Sequence, residues 1–144
     1  MKQYIEKNRE RILEELFSVL RIPSISARSE HKDDMYKCAS SLADLLLKAG
    51  ADEAGVCDTA GHPVVFGRKI VDPKAKTVLV YGHYDVQPVE PLEKWNSDPF
   101  EPEIHDGAIW ARGANDDKGQ LFMHIKAFEY LLYGGLLRDD VKLA

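Results

Sequence analysis

His83 and Asp85 stand two residues apart at the end of the apolar run Val78-Leu79-Val80-Tyr81, and Asp116-Asp117 follow between Gly113 and Gly119. An imidazole and carboxylates are metal-binding groups, and an open α/β sheet builds its sites outside the carboxyl ends of its strands. If strand geometry persists to Asp85, residues i and i+2 point into the same cleft. A ligating imidazole donates its second N–H to a carboxylate, which fixes the tautomer and makes the ring a better ligand. Asp85 is placed to do that, or to ligate the metal itself. His-x-Asp alone is weak, because any strand end can carry the two residues; the second element sharpens it. Asp116 and Asp117 fall where a βα loop meets a helix N-terminus, and the helix dipole favours carboxylates there. One aspartate suffices for a cap, so two adjacent ones exceed what a helix start needs, and one of Asp116 and Asp117 is left as a candidate ligand. The expected chemistry is metal-assisted hydrolysis.

The flanking Gly113 and Gly119 let the backbone take unusual dihedrals or approach a ligand closely. The string Arg112-Gly113-Ala114-Asn115-Asp116-Asp117-Lys118-Gly119 is no phosphate loop, since it lacks Gly-Lys-[Ser/Thr] at the required spacing, and no Gly-x-Gly-x-x-Gly is present. His62 precedes a proline in a turn, His124 sits within a helical pattern, and His31 lies in a polar loop. These three and His105 are expected to be structural or solvated. His83 and one aspartate of the Asp116-Asp117 pair make two expected protein ligands, whereas a catalytic zinc takes about three plus an open position. The chain is therefore expected to be the front part of a larger enzyme, with the general base and further ligands beyond Ala144.

Three amphipathic patterns and several short β-rich runs must position these groups. Ile5, Ile12, Leu13, Leu16, Phe17 and Leu20 recur at helical spacing over about residues 2–20, and Ile22-Pro23 stops the run. Met35, Ala39, Leu42, Leu46 and Ala49 mark a helix over 33–49, capped by Asp33 or Asp34 and ended by Gly50. Leu121, Ile125, Phe128 and Leu132 mark a third over 118–133, ended by Gly134-Gly135. Strands are expected near 64–70, 77–82 and 107–112, with a short one around Val56. Val78 to Tyr81 reads as a central strand covered on both faces. Residues 86–106 hold four of the seven prolines together with Trp95 and Phe100, and read as an ordered excursion rather than a linker. Val141-Lys142-Leu143 looks like a strand cut off in mid-run, whose unprotected edge predicts self-association. Together these elements predict an α/β fold: a three-layer αβα sandwich on a mixed, largely parallel sheet.

Composition excludes several classes. With 144 residues, the chain is one domain; 44% hydrophobic and 30% charged residues are ordinary for a soluble globular protein. A formal charge of −5 and no basic stripe argue against a nucleic-acid or acidic-membrane partner. No run reaches transmembrane length and the N-terminus lacks a signal-peptide core. Cys38 and Cys57 read as two reduced thiols, so the expected location is cytoplasmic.

With these residues assembled, the chain resembles the M20 family of zinc metallopeptidases. Gly82-His83-Tyr84-Asp85-Val86-Gln87-Pro88 and Trp95 with Asp98-Pro99-Phe100 are similar to its carnosinase-like dipeptidase branch, and Trp110 to Gln120 is similar to its second motif. Ile22-Pro23-Ser24-Ile25-Ser26 resembles the family's opening. The resemblance implies a fold of the zinc-exopeptidase type, here residues 1–144 as the N-terminal portion of the catalytic domain, without the lid domain and the remaining half. It implies that His83 binds one zinc, that Asp85 orients His83 as a catalytic residue, and that Asp116 bridges two zinc ions, with a cis Asp116–Asp117 peptide. It further implies that an adjacent Glu-Glu pair, a further acidic ligand and a distal His lie outside this sequence. The expected substrates are dipeptides or short peptides; N-acyl amino acids are the close alternative. The rival from another class is a non-catalytic α/β module. An intact reading frame with Glu-Glu soon after the last strand would favour the enzyme.

Overall fold

The computed structural model describes residues Met1–Ala144, and its helices fall where the apolar spacing sets them: α1 Lys2–Leu20, α2 Lys32–Ala49 and α3 Lys118–Tyr133. The carboxyl-terminal half of α1 carries its burial. Val19 and Leu20 are buried, and Ile12 and Leu16 pack against the core, whereas Ile5 stays half-exposed. Along α2 the whole stripe Met35, Ala39, Leu42, Leu46 and Ala49 is buried. Gly50 ends α2 at φ +106°, in the left-handed region, and a Cβ there would lie 2.9 Å from Leu132. Neither expected cap forms at the other end. The helix begins at Lys32, and the Asp34 carboxylate instead accepts the His31 Nδ1–H at 2.7 Å. No helix is long and apolar enough to cross a membrane.

Six strands follow in chain order: β1 Glu53–Cys57, β2 Val64–Lys69, β3 Thr77–Val80, β4 Glu103–His105, β5 Ala108–Trp110 and β6 Asp140–Leu143. The main sheet runs β1-β2-β6-β3. The α/β class and the mixed sheet are as expected, but the balance differs: β1/β2 and β2/β6 are antiparallel, and only β3/β6 is parallel. The 107–112 strand was expected in this sheet and lies outside it. Asp106 at φ 52° and Gly107 at φ 77° make a two-residue turn that folds β5 straight back on β4. Within 86–106, the Trp95 indole N–H donates to the Val89 carbonyl at 2.8 Å and Arg112 stacks over its ring, so the excursion is ordered.

Two further expectations about the sheet are corrected. β6 is an interior strand, paired on both sides, with Val141 and Leu143 buried; it is not the unprotected edge. That removes the reason given for self-association through it. The edge is β3, and it is not covered on both faces. In register, Val65, Val141, Leu143 and Val80 share the face under the helices and join one core cluster with α1, α2 and α3. On the opposite face Leu79 is 66% exposed and Tyr81 74%, so the described residues form one helical layer on one side of the sheet. A continuous apolar run signals that both faces are fit for burial, and nothing in it says which partner covers them.

An ion cluster ties α1 to α3. Glu129 accepts from Tyr4 Oη at 2.6 Å, Arg11 at 2.5 Å and Lys126 Nζ at 2.6 Å, and Lys126 also meets Glu15. Burial alone would raise the Glu129 pKa, but these three donors outweigh it and hold the carboxyl at about 2, below its ordinary 4.5. A depressed carboxyl pKa stabilises the fold fully above the unfolded value and loses that contribution as pH falls through the folded one. Stability from this cluster should therefore be constant above pH 4.5 and fall between there and about 2. Urea unfolding of Glu129→Gln should show a shallower acid dependence than wild type over that window. Parallel acid profiles for the two proteins would contradict the assignment.

Candidate metal centre

The site is assembled where three backbone segments are tied together beyond β3. The β6 ladder continues past the named strand, with the Ala144 amide donating to Val80 at 3.0 Å and the Gly82 amide to Ala144 at 3.2 Å. From His83 the chain leaves the sheet, so the two-residue alternation is set by a loop and not by a strand pleat. The loop still alternates, because Tyr84 turns inward: it is buried, its hydroxyl donates to the Pro63 carbonyl at 2.5 Å, and burial pushes its pKa up to about 12. His83 and Asp85 are thereby left facing outward.

The imidazole is held at both nitrogens. Nδ1 donates to Asp85 Oδ1 at 3.0 Å, and Nε2 faces Asp116 Oδ1 at 3.2 Å. Asp116, with its side chain 80% exposed, reaches the site from the loop before α3, and the Asp116–Asp117 peptide is cis. Partial burial by itself would lower the pKa of His83. The hydrogen bond and charge of Asp85, with the charge of Asp117, outweigh burial and hold the ring above its ordinary value. Three carboxylates around one imidazole leave an anionic cleft that favours a cation.

Asp117 does something other than expected. It occupies the N-cap position of α3 but makes no side-chain capping bond; its Oδ2 accepts the His83 backbone N–H at 3.0 Å. The two loops are thus fastened to each other directly under the site. A third segment, between α1 and α2, lies against both. Ile25 and Val86 form a parallel bridge, the Val86 amide donates to the Ser24 carbonyl at 2.9 Å, and Ser24 Oγ donates to the Tyr84 carbonyl at 2.7 Å. Ser26 Oγ donates to Asp85 Oδ2 at 2.5 Å.

Lys118, which follows the two aspartates in the second motif, is fully buried. Its Nζ donates to the carbonyls of Val19 at 3.0 Å and Ile22 at 2.6 Å, each of which also accepts a backbone N–H just where the chain leaves α1, and burial pushes its pKa below the ordinary value. Sequence analysis gives Ser24, Ser26 and Lys118 no positioning role, because their partners are backbone carbonyls and a carboxylate far away in the chain. No local spacing marks a lysine whose partners lie about a hundred residues away. Of the other histidines, His31 meets Asp34 and His105 meets Glu103 at 2.5 Å, while His124 is exposed. His62 is also exposed, but it lines an apolar cavity of about 340 Å³ that reaches His83.

A metal ion fits the donors that are here, within limits. Two ligands on a tetrahedral zinc, with bonds of about 2.0–2.1 Å, sit about 3.3 Å apart. Nε2 of His83 and Oδ1 of Asp116 stand 3.2 Å apart, and Nδ1 is already committed, so the lone pair for a metal is on the right nitrogen. The set stops there: no group of three or more His, Cys, Asp or Glu side chains converges to hold an ion.

Known proteins resemble this chain over most of its length. The profile of peptidase family M20/M25/M40 matches residues 79–144. The Cys-Gly metallodipeptidase dug1 of Schizosaccharomyces pombe is 33% identical over 137 residues, covering 88% of this chain and 29% of that protein. Human Beta-Ala-His dipeptidase is 30% identical over 138 residues, covering 87% and 27%. The dipeptidase Dug1p of Saccharomyces cerevisiae superposes with a TM-score of 0.87 at 26% identity, over 98% of this chain and 32% of that one. The chain thus spans less than a third of the length of these relatives.

The tightest backbone constraint at the site is Gly119. A Cβ there would sit 1.9 Å from the Ala114 carbonyl oxygen, and its amide donates to Gly113 at 3.1 Å. Gly119→Ala must push the Ala114–Asp117 loop off α3. It should cost about 3 kcal/mol in urea unfolding, the upper range for an overpacked site, and speed hydrogen exchange of the His83 amide. A loss under about 1 kcal/mol would show that the loop is free to move.

Proposed function

The chain belongs to peptidase family M20/M25/M40, and we propose that it supplies part of a metal centre that hydrolyses the amide bond of dipeptides or other short peptides. The observation that carries this reading is the His83–Asp116 pair, 3.2 Å apart and with the far nitrogen of the ring fixed by Asp85. The relatives support the substrate class, since two of them are named for Cys-Gly and Beta-Ala-His dipeptides.

His83 and Asp116 would hold zinc. Asp116 is exposed, faces His83 through one oxygen and has a second oxygen free, as sharing between two ions requires. Two bound zinc ions would supply polarisation of the scissile carbonyl and a lowered pKa for the attacking water. Asp85 orients His83 and keeps the Nε2 lone pair outward. Asp117 holds the His83 backbone. Neither is free to take the proton of the attacking water, so the general base and the remaining ligands belong to residues other than those of this chain. The cytoplasm is the proposed compartment, in keeping with two free cysteines, one buried and one exposed.

Two measurements test the reading. With added zinc, the 144-residue chain should turn over no member of a dipeptide panel and bind zinc weakly, with the binding lost in His83→Ala. Turnover abolished by His83→Ala, or two tightly held zincs per chain, would show that the donor set is complete and the partition mistaken. The second places this chain in the matching stretch of the S. pombe Cys-Gly metallodipeptidase. The chimera should hydrolyse dipeptide and lose more than about 100-fold on Asp116→Ala, beyond the roughly 10–100-fold that losing only an outer partner of a ligand costs. A chimera that folds and loads zinc yet leaves dipeptides intact would contradict the function.

A further inference from the structure

We propose that Ser26 is a positioning residue of this centre, acting on His83 through Asp85. The inference rests on the metal-site reading above and adds a group that lies outside both motifs. The Ser26 hydroxyl donates to Asp85 Oδ2 at 2.5 Å, and the other oxygen of the same carboxylate, Oδ1, accepts from His83 Nδ1 at 3.0 Å. These are the only two side-chain hydrogen bonds that Asp85 makes, and its side chain is 35% exposed. Without the hydroxyl, one oxygen would be left to water and the carboxylate plane would be free to turn. A carboxylate anchored at one oxygen presents the other in one direction, and that direction sets the plane of the imidazole.

The anchor itself is rigid. Ile25, the residue before Ser26, is buried and bridges to Val86, the residue after Asp85. Ser24 is fully buried and tied to Tyr84, and the Ile22 carbonyl is held by Lys118. The hydroxyl is thus delivered from a segment with its own fastenings to the His83 loop. A purely mechanical role for Ser26, as one more fastening, would affect stability but not the ring.

The test compares Ser26→Thr and Ser26→Val in the isotope-labelled 144-residue chain, since the two side chains match in shape and differ in the hydroxyl. NMR couplings and ring shifts report the order of the His83 side chain without metal, and zinc titration at the same ring reports affinity. Wild type and Ser26→Thr should show one ring rotamer and zinc affinities within about threefold. Ser26→Val should show an averaged ring and about tenfold weaker zinc, the lower end for loss of an outer partner of a ligand. Ser26→Ala serves the same purpose if the valine variant does not fold. Zinc binding that is lost in His83→Ala yet unchanged in Ser26→Val, with the ring still ordered, would overturn the proposal and leave the metal site standing. Zinc shifts indifferent to His83→Ala would instead sink the metal-site reading, and the metal-free ring comparison would still decide the role of Ser26. A mobile His83 ring in the wild-type chain overturns the proposal whatever the variants do.

Discussion

The carboxylate of Asp85 decides which nitrogen of His83 faces outward, and the rest of the site depends on that choice. With Nδ1 engaged, the ring can offer only Nε2 to a cation, and Nε2 is turned on Asp116. The imidazole gains from this because a ring that is already oriented loses less freedom when it binds. The arrangement also concentrates negative charge: Asp85, Asp116 and Asp117 surround a single ring, which Asp85 and Asp117 hold above its ordinary pKa against the opposing effect of burial. A cation held between the ring and Asp116 would offset that charge.

Holding the carboxylate and the ring in register requires segments that are remote in sequence. The loop after β3, the loop before α3 and the connection between α1 and α2 meet there. Backbone groups bear most of the fastening: His83 N–H to Asp117, Val86 N–H to Ser24, and the Val19 and Ile22 carbonyls to Lys118. A buried lysine is costly unless its donors are used, and Lys118 uses two of its three on the carbonyls of Val19 and Ile22, at and just past the end of α1. The same residue begins α3, so the helix that carries the Asp116 loop is pinned to the helix that precedes Ser26. Beneath them a single core cluster joins all three helices to β2 and β6. The exposed Leu79 and Tyr81 lie on the far side of the sheet from this cluster.

Much of this was legible in the sequence, and what was not has identifiable causes. Periodicity located all three helices because each buries one stripe against one core, as Met35 to Ala49 does. The His83, Asp85 and Asp116 grouping was legible because loops at a sheet edge draw such residues together. Long-range pairing was not legible. The apolar run of β3 gave no sign that only its Val80 side meets the helices, and Val141-Lys142-Leu143 gave no sign that β6 would lie between β2 and β3. Asp106-Gly107 is a hairpin signal, but nothing in it says that β5 pairs with β4 alone and stays outside the main sheet. Asp117 looked like a cap because position alone suggested one. A distant backbone N–H, that of His83, claimed its carboxylate instead.

The central claim is that His83 Nε2 and Asp116 face each other as two donors to one ion. Anomalous diffraction from crystals of the 144-residue chain grown with zinc tests it most directly. The account predicts an anomalous peak between those two side chains, about 2.0–2.2 Å from each, with Nδ1 still bonded to Asp85. Zinc bound only at other surface groups, with the His83 to Asp116 hydrogen bond intact and no density between them, would contradict it.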